Sequence, residues 1–111
     1  MTVEITARHM DATAALQDYA LRKAEGLKQE FAQVESIHVI LDVQKHRHIA
    51  EVVVQAKHRH RSEAEETADN MKAAIDAAVD KTERQLRRLR DKTQDHKAAM
   101  RQTEIEKERG L

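Results

Sequence analysis

The chain has 111 residues, 36% of them charged, with a formal net charge of zero, one Tyr, one Phe and no Trp, Pro or Cys. This length fits a single domain, and the lack of cysteine excludes disulfides, a thiolate nucleophile and a cysteine-based zinc site. Two aromatic rings cannot form the stacking platform of sequence-specific single-strand RNA binders, so any RNA binding would depend on charge and shape. No segment resembles a signal peptide or approaches the ~20 apolar residues of a membrane span, so we expect a cytoplasmic protein without membrane contact.

The first two predicted elements are a strand and a helix. Apolar and polar residues alternate at the start, which predicts a half-buried strand with Val3, Ile5 and Ala7 pointing inward. Apolar residues then recur at steps of three and four over residues 13–31, the stripe of an amphipathic helix that Asp11 or Thr13 could cap.

Three further strands are predicted after this helix. From Ile37 to Val43 every second residue is apolar, which indicates a strand with one buried face. Residues 49–57 are rich in β-branched side chains, and their alternation points Ala50, Val52, Val54 and Ala56 inward. A weaker strand is predicted at roughly 59–65.

The second helix has the clearest pattern in the chain. An apolar stripe at helical spacing runs from Met71 to Leu89, with Thr67 or Asp69 placed to cap its start. The stripe fades after Leu89, so we expect one folded domain over residues 1–95. A charged tail, residues 96–111, is then either a frayed helix or disordered.

The order of elements is therefore β-α-β-β-β-α. In a sheet of three or four strands with both helices on one face, the apolar stripe of each helix would be buried against the apolar side of the sheet. The sequence predicts an α+β fold of two layers.

Seven histidines raise the question of a metal site. His46 and His48 form one pair and His58 and His60 another, but the strand between them would hold the pairs roughly 30 Å apart. Neither pair has a cysteine or a suitably placed carboxylate to complete the ligands that zinc requires. We therefore expect solvated histidines, no metal and no cofactor.

The residue types also argue against an enzyme, and the charged surface that requires an explanation is the basic side of the second helix. There is no glycine-rich phosphate loop, and the carboxylates lie in hydrophilic stretches where burial would not raise their pKa values. Lys81, Arg84 and Arg88 share one helix face beside the apolar stripe. This spacing is compatible with phosphate binding and equally with a solvated helix whose cations lie near its C-terminal end.

The second helix resembles a known family. Residues 69–76 (DNMKAAID), then Asp80-Lys81 and residues 83–86 (ERQL), are similar to the signature of the ribosome hibernation-promoting factor and ribosome-associated inhibitor family. The first strand and helix agree through Ile5-Thr6, Met10, Thr13, Ala15 and Leu16, and so does Val39-Ile40-Leu41 followed by Lys45. The resemblance covers roughly residues 2–92.

The resemblance implies a fold similar to double-stranded-RNA-binding domains. It also implies binding to the small ribosomal subunit and its rRNA in the mRNA and tRNA channel, with inhibition of translation and ribosome hibernation in stationary phase or stress. A second hibernation factor is a candidate partner, and no small-molecule substrate is expected. The residues that match family RNA-facing positions are Lys23, Lys45, Lys81, Arg84, Arg88, Arg90 and Lys92. Further candidate contacts are Arg22, Lys57, Arg59, Arg61 and Arg87.

The chain departs from the family pattern at three places. Lys72 stands where a tyrosine is usual, Gly26 replaces a commonly basic position, and residues 57–61 (KHRHR) form a basic turn where many relatives have a small glycine-containing one. The chain also ends before the second domain of long-form relatives, so we expect either a short form or a piece of a longer protein. Whether it pairs ribosomes or opposes pairing stays open, as does the alternative of a protein-interaction module acting through its charged C-terminal helix.

Overall fold

The computed structural model describes the backbone of residues 2–101 and the side chains of residues 2–91. The elements, in chain order, are β1 (Thr2–Arg8), α1 (Ala14–Glu30), β2 (Val34–Gln44), β3 (Arg47–Ala56), β4 (Arg61–Ala68) and α2 (Met71–Arg101). This order confirms the predicted β-α-β-β-β-α fold. The predicted tail, residues 96–111, falls on the last turns of α2 and on residues outside the described range.

The four strands form one mixed sheet in the order β1-β2-β3-β4. β1 pairs with β2 in parallel, because α1 carries the chain back across the sheet between them. β2, β3 and β4 are antiparallel neighbours, and their register places Val39 opposite Val52 and Val52 opposite Ala64. A bulge between Val34 and Ser36 begins the β2–β3 pairing.

Both helices pack on one face of the sheet. They lie side by side and run in the same direction, because Tyr19 contacts Asp76 near their starts and Arg87 contacts Glu30 further along. The core between the layers contains a single aromatic ring, and aliphatic side chains supply the rest. Its largest members, all fully buried, are Phe31, Ile37, Leu41, Ile75 and Leu86.

The helix caps correct one prediction. Thr13 caps α1 as expected, since its side-chain oxygen accepts a hydrogen bond of 3.1 Å from the backbone N–H of Leu16. The cap of α2 is Asn70, whose Oδ1 accepts from the N–H of Ala73 at 2.8 Å. Neither Thr67 nor Asp69 can do this, because Thr67 still belongs to β4 and Asp69 lies one residue before the cap position.

The strands also differ from prediction at their ends. β3 begins at Arg47, two residues earlier than predicted, because a tight turn at Lys45 and His46 joins it to β2. Lys45 adopts a φ of 57° there, in the left-handed region that Asn or Gly usually occupies in such turns. The weak strand is β4, and it runs to Ala68 instead of residue 65. Ala7 lies on the core side of the sheet as predicted, because it pairs with the buried Leu41, but it is exposed at the edge strand β1.

Candidate nucleic-acid interface

The α2 basic face, which consists of Lys81, Arg84 and Arg88, projects from the outer side of the second helix. α2 lies mainly on β3 and β4 and buries its apolar stripe there, which leaves the three cations away from the core. Seven residues at ~100° per residue bring Arg88 to within about 20° of Lys81 around the helix axis. Lys81 reaches Glu66 on β4, so this side of α2 faces the edge of the sheet.

Two of these three cations already have a carboxylate partner. The Nζ of Lys81 is 3.7 Å from Oε1 of Glu66, and Nη2 of Arg84 is 3.0 Å from Oδ2 of Asp80. Arg88 is exposed and forms no ion pair within residues 2–91. Arg88 therefore carries the least compensated charge of the α2 basic face.

Arg87 and Arg90 point towards α1, on the other side of α2. Arg87 pairs with Glu83 on its own helix and lies 3.5 Å from Oε2 of Glu30 on α1. The guanidinium of Arg90 lies 5.1 Å from the ring centroid of Phe31, which is a cation–π contact over the aromatic residue of the core. Both arginines thus tie the helices together, and a phosphate would have to compete with these contacts.

A second group of charges lies near the start of both helices. Tyr19 donates a hydrogen bond to Asp76 across the helix pair, and this bond raises the pKa of the tyrosine. The Nζ of Lys23 is 3.5 Å from Asp76, and the Lys23 and Lys72 ammonium groups lie 5.5 and 5.3 Å from the centre of the Tyr19 ring. In the sequence, Lys72 stood out only because it replaces a tyrosine. In the structure it is one of the two cations beside the Tyr19 ring, between the starts of the two helices.

The basic turn, residues 57–61, lies beside α2. A short 3-10 segment at Lys57–Arg59 begins it, and His58 and Arg59 both adopt left-handed φ angles, 63° and 64°. The N–H of Lys57 donates to the carbonyl of Gln33 at 2.8 Å, and Ala56 donates to the carbonyl of His60 at 2.8 Å. These bonds hold the turn against the end of the sheet.

Gln85 of α2 joins the helix to the start of β4, directly after that turn. Its Oε1 accepts from the hydroxyl of Ser62, and its Nε2 donates to the carbonyl of Glu63 at 3.3 Å. Between them opens a cleft of about 380 Å³ lined by His60, Arg61, Ser62, Glu63, Gln85 and Leu89. The cleft therefore brings the end of the basic turn, His60 and Arg61, next to Gln85 and Leu89 of α2, although more than twenty residues separate them in the chain.

The remaining candidate contacts are distributed over the molecule. Arg61 pairs with Glu63 at 2.8 Å, whereas Lys57, Arg59 and Arg22 are exposed and form no ion pair in the described part of the chain. Lys45 is also exposed and unpaired there, but β3 places it roughly 30 Å from the basic turn, at the opposite end of the sheet. The side chain of Lys92 lies outside the described residues.

Among residues 2–91 no three His, Asp or Glu side chains gather into a group that could hold a metal ion. No helix within the described ranges is long and apolar enough to cross a membrane.

Comparison with known proteins identifies the family. The family model "Sigma 54 modulation protein / S30EA ribosomal protein" matches residues 3–94. The chain is 34% identical over 98 residues to the ribosome hibernation promoting factor of Salmonella typhimurium, with 86% of this chain and all of the relative covered. It is 34% identical over 94 residues to the factor of the same name from Pseudomonas putida, with 85% of this chain and 91% of that protein covered.

Solved structures agree on the fold. A ribosomal subunit interface protein from Coxiella burnetii superposes with a TM-score of 0.72 at 22% identity, covering 82% of this chain and 99% of the other. The N-terminal domain of Thermus thermophilus Protein Y superposes with a TM-score of 0.71 at 28% identity, covering 80% and 99%. The chain belongs to the Sigma 54 modulation protein / S30EA ribosomal protein family, and it is a binding protein without enzymatic activity.

Proposed function

We propose that this protein binds the small ribosomal subunit in the mRNA and tRNA channel, blocks translation, and keeps ribosomes in hibernation during stress or stationary phase in the cytoplasm. The names of its relatives, ribosome hibernation promoting factors, support the ribosome as the partner. The position in the channel and the contact with rRNA are inferences from the charge distribution and from the family resemblance.

One observation carries the proposal: several candidate cations are exposed and form no ion pair among the described residues. They include Arg88 on α2 and Lys57 and Arg59 in the basic turn. Guanidinium groups bind phosphate oxygens in a bidentate manner, so such cations fit an RNA backbone better than a neutral ligand. We assign them the main contact, with Lys81 and Arg84 adding contacts once phosphate replaces their carboxylate partners. Lys23, Lys45, Arg90 and Lys92 are the further contacts that the family resemblance implies.

Co-sedimentation with purified small subunits tests this assignment. The unmodified protein should bind, and its affinity should fall steeply with salt, because each neutralised phosphate releases counterions. Arg84→Glu combined with Arg88→Glu should abolish binding. Undiminished binding by that double variant would overturn the proposal.

A single charge reversal provides a matched control. Arg88→Glu changes the charge by the same amount as Arg8→Glu, but Arg8 lies on β1 in a strand away from α2. We expect the Arg88 variant to lose most of its binding and the Arg8 variant to keep it. Equal losses would mean that net charge alone drives binding.

A sucrose gradient addresses hibernation and the alternative function together. Ribosome profiles with and without the protein, and with a second hibernation factor added, report subunit binding and ribosome pairing. A protein-interaction module would instead retain a partner protein after nuclease treatment and show no ribosome association.

A further inference from the structure

One face of the sheet has no helix packed on it in the described structure. Along each strand its side chains alternate with those that enter the core, and the register aligns them into rows across the sheet. The two central rows define what we call the open face. Their members are Glu4, His38, Val53 and Glu63 in one row and Thr6, Ile40, Glu51 and Glu65 in the next.

The open face combines an apolar centre with acidic surroundings. Ile40 on β2 and Val53 on β3 are only half-buried, although these are the two inner strands of the sheet. Carboxylates lie on both edge strands, with Glu4 on β1 and Glu65 on β4. The bond between Thr6 Oγ1 and His38 Nε2, 2.7 Å long, holds the polar side chains of β1 and β2 together.

The carboxylates of this face are largely uncompensated. Glu51 lies directly opposite Glu65, and like charges in that arrangement destabilise a sheet. Within residues 2–91, neither of them forms an ion pair, nor does Glu4, and only Glu63 has a partner, in Arg61. On the helix side of the same strand, by contrast, Glu66 pairs with Lys81. The repulsion on the open face is therefore left for a partner to relieve.

We propose that the open face docks a Lys/Arg-rich polypeptide segment of another protein, with apolar residues among its cations. The cations would neutralise Glu51, Glu65 and Glu4, and the apolar residues would cover Ile40 and Val53. RNA does not fit this face, because its phosphates would meet the same uncompensated carboxylates. The protein would then hold RNA on its helix side and a basic protein segment on the opposite side, and this second contact does not depend on the first.

The probe for this contact is a short fluorescent peptide of lysine and valine, whose binding is followed by anisotropy and mapped by amide chemical shifts. Glu51→Lys is the informative variant. It places opposite charges across β3 and β4 and should raise the melting temperature, whereas it should weaken peptide binding about tenfold. Opposite changes in stability and affinity separate docking from a structural role of this residue.

Controls make the outcome decisive. Asp18→Lys makes the same charge change on exposed α1 and should leave peptide affinity within about twofold. Ile40→Thr with Val53→Thr should weaken binding by removing the apolar contact. Arg88→Glu should bind the peptide normally, even if it loses the ribosome.

Three results would overturn the proposal. One is an equal loss of affinity in the Glu51 and Asp18 variants, which would indicate attraction by net charge. Another is a set of shifted amides on α1 or α2 instead of the strands. The third is displacement of the peptide by a single-stranded RNA oligonucleotide, because RNA should not occupy this face.

Discussion

At the scale of single residues, the neighbouring carboxylates decide which cations are available. Exposed ion pairs contribute about 0–1 kcal/mol each, so phosphate can displace them, but the displaced carboxylate stays nearby and repels the incoming phosphate. Arg84 has Asp80 one turn away and Lys81 has Glu66, while Arg88 has no such partner among the described residues. Arg88 should therefore matter more than its equally basic neighbours.

Removing a carboxylate tests this argument from the opposite direction. Asp80→Asn keeps the shape of the side chain, leaves Arg84 without a counter-ion and should strengthen binding to small subunits by a few-fold. Sedimentation at several salt concentrations measures the change. Asp69→Asn, a change of the same charge before the start of α2, serves as the control. Equal binding by both variants would show that the carboxylate beside Arg84 does not limit phosphate binding.

A second residue-scale prediction concerns acid stability. The hydrogen bond between His9 Nδ1 and Asp42 Oδ1, 2.9 Å long, is the main cause that lowers the pKa of Asp42 below its ordinary value of 3.8, with Gln44 assisting. A carboxyl whose pKa is lowered by folding stabilises the protein above its unfolded pKa, and this contribution disappears as pH falls through the folded value.

His9→Ala should therefore lower the melting temperature at neutral pH. The difference from the unmodified protein should begin to shrink as the pH falls below about 4, where Asp42 of the unfolded chain takes up a proton, and should disappear as the pH passes the lower pKa of the folded state. Thermal unfolding across that pH range measures it. A difference that stays constant down to the lowest pH would show that the histidine acts through packing instead.

At the scale of elements, the helices show where local pattern was sufficient and where it was not. Thr13 caps α1 as the spacing predicted, but Asn70 and not Asp69 or Thr67 caps α2. β4 ends at Ala68 and α2 begins at Met71, so Thr67 is still in the strand and the residue in the cap position is Asn70. Helix interiors follow from periodicity, while helix ends depend on where the preceding strand releases the chain.

Gly26 in α1 gives an element-scale prediction. A Cβ built at this position meets no atom within 4 Å, so a methyl group would enter open space. Gly26→Ala should therefore stabilise the protein by about 1 kcal/mol, because alanine loses less conformational freedom in a helix. Denaturant unfolding measures the gain, and Gly26→Pro, which breaks the helix, should do the reverse. No gain would mean that α1 is not a continuous helix at Gly26.

At the scale of the whole molecule, a net charge of zero conceals unpaired charges of opposite sign in different places. Arg88 is exposed on α2, on the helix side of the sheet, whereas the uncompensated Glu51 and Glu65 lie on the open face. A field of this kind orients a protein as it approaches a polyanion, since one side is attracted and the other repelled. Orientation, and not overall attraction, is what such a charge distribution supplies.

The basic turn supplies the prediction at this scale. Lys57→Glu combined with Arg59→Glu should weaken small-subunit binding. The slope of log affinity against log salt concentration should become shallower by about one to two, because about one phosphate contact is lost per residue. Lys45→Glu, roughly 30 Å away, should add to that effect independently. An unchanged salt dependence in the turn variant would remove residues 57–61 from the interface.

The sequence by itself determined the order of elements, the two-layer class and the family, because hydrophobic periodicity and a contiguous motif are local properties of the chain. It also placed Lys81 and Arg88 on one helix face, which follows from helix geometry alone. Only the tertiary structure decided that Glu66 neutralises Lys81 and Asp76 neutralises Lys23, since these partners come from different elements. It decided, for the same reason, that the basic turn lies beside α2 and that the carboxylates of β3 and β4 face each other across the open face.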